Sequence, residues 1–172
     1  SLQSALAGSA DLALGNVEDL SIDTPNPIGV LQVAQWLDSD GDDTITAPAI
    51  RLLSSDGAFQ ANLALSGADA PRGQALATVR IAGDVDDGDS TDTDWTVAGG
   101  SIGTIDIDGR TDNFALDAVD ARQIRLADAG DVSVSFTGDL AVVRAGQWTG
   151  GAIDAASANV LTVDGDFGAS VT

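Results

Sequence analysis

Two acidic loops carry the side chains best suited to chemistry. The first is Asp38-Ser39-Asp40-Gly41-Asp42-Asp43-Thr44. The second runs from Asp84 through Asp86, Asp87, Asp89 and Asp92 to Asp94. Hard carboxylate oxygens crowded on a short loop are what Ca²⁺ requires. The sequence therefore offers Asp38, Asp40, Asp42 and Asp43, and Asp84, Asp86, Asp87 and Asp89, as Ca²⁺ ligands. The alternate placing of Asp38, Asp40 and Asp42 is that of an EF-hand start, but Gly41 stands at a variable position and Ala49 where the closing Glu belongs. The competing reading is that these are solvated turns, for which aspartate is well suited.

A second constellation is the column Ser21, Gln32, Ser54, Arg80, Asp106, Arg125, Arg144 and Thr162. If these residues stack in one register, Arg80, Asp106 and Arg125 form an alternating charge ladder on adjacent strands. Its structural role is register selection, with exposed pairs contributing only about 0.2–1 kcal/mol each. Its catalytic role would be an Asp/Arg strip, as in β-helix proteins that cleave acidic polysaccharides. Trp36, Trp95 and Trp148 form a third set. They are read as core packing units, or alternatively as a platform for a carbohydrate ligand.

Composition removes much other chemistry. The chain contains no Cys, Met, His, Tyr or Lys, so no Ser-His-Asp, Cys-His or metal-His site can be assembled. A phosphate loop of the Gly-x-x-x-x-Gly-Lys kind is impossible without lysine. No enzyme activity is expected. Net charge is −20, and Glu18 is the only glutamate among 27 acidic residues. Such a surface repels nucleic acid and anionic membranes. No apolar run approaches the ~20 residues of a membrane-spanning helix.

The elements that position these residues follow from a recurring apolar triplet spaced i, i+3, i+5. It occurs at Val17-Leu20-Ile22, Ile28-Leu31-Val33, Ile50-Leu53-Ser55, Leu76-Val79-Ile81, Ile102-Ile105-Ile107, Ala121-Ile124-Leu126, Leu140-Val143-Ala145 and Ala158-Leu161-Val163. From the second on, successive starts are 22, 26, 26, 19, 19 and 18 residues apart. On a helix these positions scatter around the axis, whereas on a strand i+3 and i+5 share a face. A repeat of about 20 residues that cannot bury itself alone is the mark of a solenoid. Gly57, Gly83, Gly109 and Gly165 each follow a triplet by two residues, where glycine permits positive φ or close backbone approach. Ile45 to Leu63 also aligns without gaps on Ile153 to Val171, placing Phe59 on Phe167. The first spacing, 11 residues, is too short for a coil, so Val17-Leu20-Ile22 is a chance match or lies on another side.

The expected fold is all-β: a right-handed parallel β-helix of about seven to eight coils, right-handed because parallel crossovers favour that hand. It is a single domain over 1–172, with repeats over 16–172 and 1–15 as a cap segment, either a short helix or an irregular first coil. Gly165 to Thr172 falls inside a coil with no polar cap, so the coil is expected to meet further chain or another copy.

Ser-Ile-Gly-Thr-Ile-Asp-Ile-Asp-Gly at 101–109 and Ala-Leu-Ala-Thr-Val-Arg-Ile-Ala-Gly at 75–83 resemble the repeats of large secreted bacterial surface and adhesin-like parallel β-helix proteins. The resemblance implies a solenoid outside the cell, serving as stalk, adhesin or building block. Its expected partners are other copies, flanking repeats of a longer chain, or surface polysaccharide. It supplies no shared catalytic residues.

Overall fold

The computed structural model describes residues 2–3, 8–39, 41–85 and 93–172. It is a parallel β-solenoid of about seven coils. Each coil passes three sides. The first side stacks β2 (Ala10–Ala13), β5 (Ile28–Val33), β8 (Ile50–Ser55) and β10 (Gln74–Ile81). It continues into the second half of β11 (Thr93–Thr111) and into β12 (Phe114–Val163). The second side stacks β1 (Leu2–Gln3), β4 (Ile22–Asp23), β7 (Thr44–Ala47) and β9 (Asn62–Leu65), then the first half of β11. The third side is narrower. It pairs β3 (Asn16–Glu18) with β6 (Gln35–Leu37) and continues through isolated bridges. β12 winds on through later coils, and β13 (Ser170–Val171) pairs with it at Ile153.

The triplets are the inward face of the first side. Ile28, Ile50, Leu76, Ile102 and Ala121 stack in register, as do Leu31, Leu53, Val79, Ile105 and Ile124. The third column is Val33, Ser55, Ile81, Ile107 and Leu126. Ser55 is the one polar member and is buried, and its Oγ donates to the carbonyls of Gly57 (2.9 Å) and Ala58 (3.2 Å). The hydroxyl thus satisfies the turn that follows it, which is why a serine is tolerated inside.

Two open readings are decided here, and one expectation is corrected. Val17-Leu20-Ile22 is not a first-side triplet: Val17 stacks on Trp36 on the third side and Ile22 on Ile45 on the second. The first-side strand of that coil is Ala10–Ala13, where Leu12 stacks on Leu31 after a one-residue register shift. Ala10–Ala13 is therefore strand rather than a cap helix, because it borrows the hydrogen-bonding edge of β5. Ser21 accordingly leaves the outward column, where Ala13 pairs with Gln32 instead.

The corner glycines serve close approach. A Cβ on Gly83 would lie 2.4 Å from the Gly57 carbonyl carbon, and one on Gly109 would lie 2.2 Å from the Gly83 oxygen. Successive backbones touch there with no room for a side chain. Gly15, by contrast, has nothing within 4 Å of an added Cβ. Gly83→Ala is expected to cost about 1–3 kcal/mol of stability by overpacking, and Gly15→Ala to stay within about 0.5 kcal/mol. Denaturant unfolding of both variants measures the difference.

Candidate functional site

The carboxylates expected to hold Ca²⁺ fall at the corner between the third and second sides. Asp38 follows β6 and Asp43 precedes β7, and both are buried. Asp84 lies instead at the other end of the third side two coils on, beside Gly83 and before Val85. Asp40, Asp86, Asp87 and Asp89 lie outside the described residues. Asp42 is exposed and takes no part in the cluster.

The structure adds a residue that the loop reading lacked. Asp19, from the corner one coil earlier, brings a carboxylate oxygen within 4.8 Å of ligand atoms of Asp38 and Asp43. The signal for it was available, because Asp19 precedes Ser39 by one coil length of 20 residues. Asp38 folds the loop on itself: Oδ1 accepts from the Gly41 N–H (2.8 Å) and Oδ2 from the Asp43 N–H (2.9 Å). Asp43 Oδ2 accepts from the Leu20 N–H (2.7 Å) and from Trp36 Nε1 (3.1 Å). Asp19 accepts from the Ser39 N–H (2.9 Å) and Oγ (2.8 Å). These bonds tie the first two coils together at a corner where no ladder can.

The same device recurs along the rod. Asp84 Oδ1 accepts the Arg110 N–H (2.8 Å), Asp112 Oδ1 the Asp131 N–H (2.6 Å) and Asp120 Oδ1 the Asp139 N–H (2.7 Å). In each case the donor follows a glycine (Gly109, Gly130 or Gly138) whose missing Cβ leaves room for the carboxylate below. Aspartate has the right reach for this and glutamate adds a rotatable bond, which gives the aspartate bias a structural cause.

Electrostatics separate the members of the corner cluster. Burial pushes the Asp43 carboxyl above its ordinary 3.8, with the Asp38 and Asp19 charges adding to the shift and the two donors opposing it. The Ser39 donors hold Asp19 below its ordinary value. The signs follow from linkage. The stability contributed by protonated Asp43 is complete below its ordinary pKa and is lost as pH rises through its raised folded value. That contributed by ionised Asp19 is present above its ordinary pKa and lost as pH falls through the depressed one.

The tryptophans are inside. Trp36, Trp95 and Trp148 are 0%, 1% and 0% exposed. A saccharide platform needs an open ring face, and none of the three has one. Trp36 bridges to Phe59 and Trp148 to Phe167, in keeping with the repeat alignment. Trp95 lies on the second side between Leu63 and Leu116. An aromatic file runs up the interior from Trp36 to Phe59 (5.8 Å), Trp95 (6.0 Å) and Phe114 (5.0 Å). Tilted and edge-on rings at these separations are favourable geometries.

The charge ladder is half made. Gln32, Ser54, Arg80, Asp106 and Arg125 do stack in register. Arg125 pairs with Asp106 and reaches on to Asp108. Arg80 is left without an ion pair among the described residues. No protein-family model, curated protein or solved structure matches the chain.

Two variants separate a structural clasp from a cation site. Asp43→Ala strands the Leu20 and Trp36 donors and is expected to cost about 1–3 kcal/mol per buried donor. Asp43→Asn keeps an acceptor and removes the buried charge, so thermal stability at pH 7 is expected to hold or rise, with a flatter profile as pH rises above the ordinary aspartate pKa. Melting in EDTA and in millimolar CaCl₂ completes the test. The clasp account predicts the same ordering in both. A Ca²⁺-dependent rise in the parent chain that Asp43→Asn abolishes would instead establish the cation site.

Proposed function

We propose that this chain is a structural β-solenoid module of a bacterial cell surface, working as a rigid rod that extends by coil stacking. The observation that carries the reading is the coil at 154–172. There Phe167 lies over Trp148 and Val171 over Ile153, each in its repeat position. Yet Val160, Leu161, Phe167 and Val171 are 44%, 38%, 45% and 52% exposed. Elsewhere in the rod the equivalent positions are closed by the next coil: Phe59 and Leu63 are 0% and 1% exposed. A coil in the same register, from the same chain or from a second copy, would cover this apolar edge and complete its ladder.

The resemblance of 75–83 and 101–109 to surface-protein repeats supports the extracellular setting. The acidic, lysine-free exterior is compatible with it. The carbohydrate reading through tryptophan has no exposed ring to rest on, and is not carried forward.

End-to-end stacking is tested by light scattering over a concentration series, with EDTA and with millimolar Ca²⁺. The expected result is concentration-dependent association that Phe167→Asp abolishes. A strict monomer at every concentration in both buffers contradicts stacking between copies.

A further inference from the structure

The acidic exterior has one exception. A groove of about 680 Å³ opens on the first side, and four of the chain's seven arginines line it: Arg51, Arg72, Arg80 and Arg122. None of the described lining residues is acidic. None of the four arginines has an ion pair among the described residues. In a chain of net charge −20, unpaired arginines gathered on one concavity need a cause. Of the three other arginines, two find carboxylates: Arg110 pairs with Asp112, and Arg125 with Asp106 and Asp108.

The groove is built by register. Ile50, Leu76, Ile102 and Ala121 stack in four successive coils, so the residues that follow them, Arg51, Ala77, Gly103 and Arg122, form an outer column. Its ends are long cations and its middle is bare. The bareness is enforced, since a Cβ on Gly103 would lie 2.1 Å from the Ala77 oxygen. Three coil steps separate the two arginines, about 14 Å of backbone at ~4.8 Å per step. Thr78 and Thr104 pair beside the bare stretch and offer it hydroxyls. Arg72 comes from the Pro71–Gly73 turn before β10, held at φ 57, a conformation that few side-chain-bearing residues adopt. Arg80 is available because its ladder neighbour Asp106 is taken by Arg125.

We propose that this groove binds an acidic oligosaccharide along the rod axis. Guanidiniums spaced over several coils grip separate carboxylate or sulfate groups through paired hydrogen bonds. The Thr78 and Thr104 hydroxyls and the Gln74 amide offer donors and acceptors to sugar hydroxyls between them. Nucleic acid fits less well: none of the described groove-lining residues is aromatic to stack a base, and a longer polyanion meets the acidic remainder of the surface. The proposal is independent of end-to-end stacking, and is read by ligand binding rather than by association state.

The test is calorimetric titration of the full chain at low ionic strength with four probes. These are a carboxylated oligosaccharide (oligogalacturonate), a sulfated one (a heparin-derived hexasaccharide), a neutral maltohexaose and a single-stranded oligonucleotide. Saturable binding of one or both acidic saccharides, and not of maltohexaose, is expected. Which acidic probe binds distinguishes carboxylate from sulfate. Arg51→Gln/Arg122→Gln is expected to weaken that binding by about tenfold or more, and Arg72→Gln to weaken it less. Arg144→Gln, outside the groove, is expected to leave it unchanged. Circular dichroism confirms that each variant is folded. The proposal is overturned by no saturable binding of either acidic saccharide, by equal binding of maltohexaose, or by binding that the double variant retains. Tighter binding of the oligonucleotide overturns the choice of ligand.

Discussion

Everything in this molecule depends on each coil hydrogen-bonding the next in parallel register. A single coil of about 20 residues buries little of its own apolar surface and leaves one row of backbone groups open on each edge. Stacking solves both problems at once. It closes the ladder, and it places like on like, so that Leu31, Leu53, Val79, Ile105 and Ile124 become one continuous core column. Register is strict because a slip of one residue would send every inward side chain to the solvent face.

At the corners the strand register shifts or breaks, and side chains add to the pairing. Asp84, Asp112 and Asp120 each accept a backbone N–H from the following coil, above a glycine that leaves space for the carboxylate. Between the first coils, Asp19 accepts from Ser39 of the following coil and Asp43 from Leu20 of the preceding one. The acidity of the chain is thus in part a consequence of how its corners are held. This also explains why an acidic loop here is weak evidence for a cation: oxygens of Asp19, Asp38 and Asp43 already accept protein donors.

Much of the fold was legible because its signal is periodic. The second to sixth triplets stack as their spacing required, and the alignment of 45–63 with 153–171 places Phe59 and Phe167 each beside a tryptophan. The first coil was left open between two readings because a one-residue shift between Ala10 and Asp11 breaks the i, i+3, i+5 spacing, while Val17, Leu20 and Ile22 mimic it across one corner. The site was less legible, since clusters form between coils rather than along the sequence. Asp19 and Asp43 are 24 residues apart, and Arg51 and Arg122 are 71 apart. Only a known coil register brings either pair together. The tryptophans show the converse: read first as core packing units, all three are buried.

The most direct test of the account is disulfide trapping of the register, which the absence of native cysteine makes clean. Gln32 and Ser54 pair on the outer face of β5 and β8. Adjacent strands lie about 4.8 Å apart, within the Cα separations that a disulfide spans. Gln32→Cys/Ser54→Cys is predicted to form an intramolecular disulfide rapidly on mild oxidation, and Gln32→Cys/Ser55→Cys, one residue out and facing inward, is predicted not to. Failure of the first pair to close, or equal closure of both, would contradict the stacked-coil register.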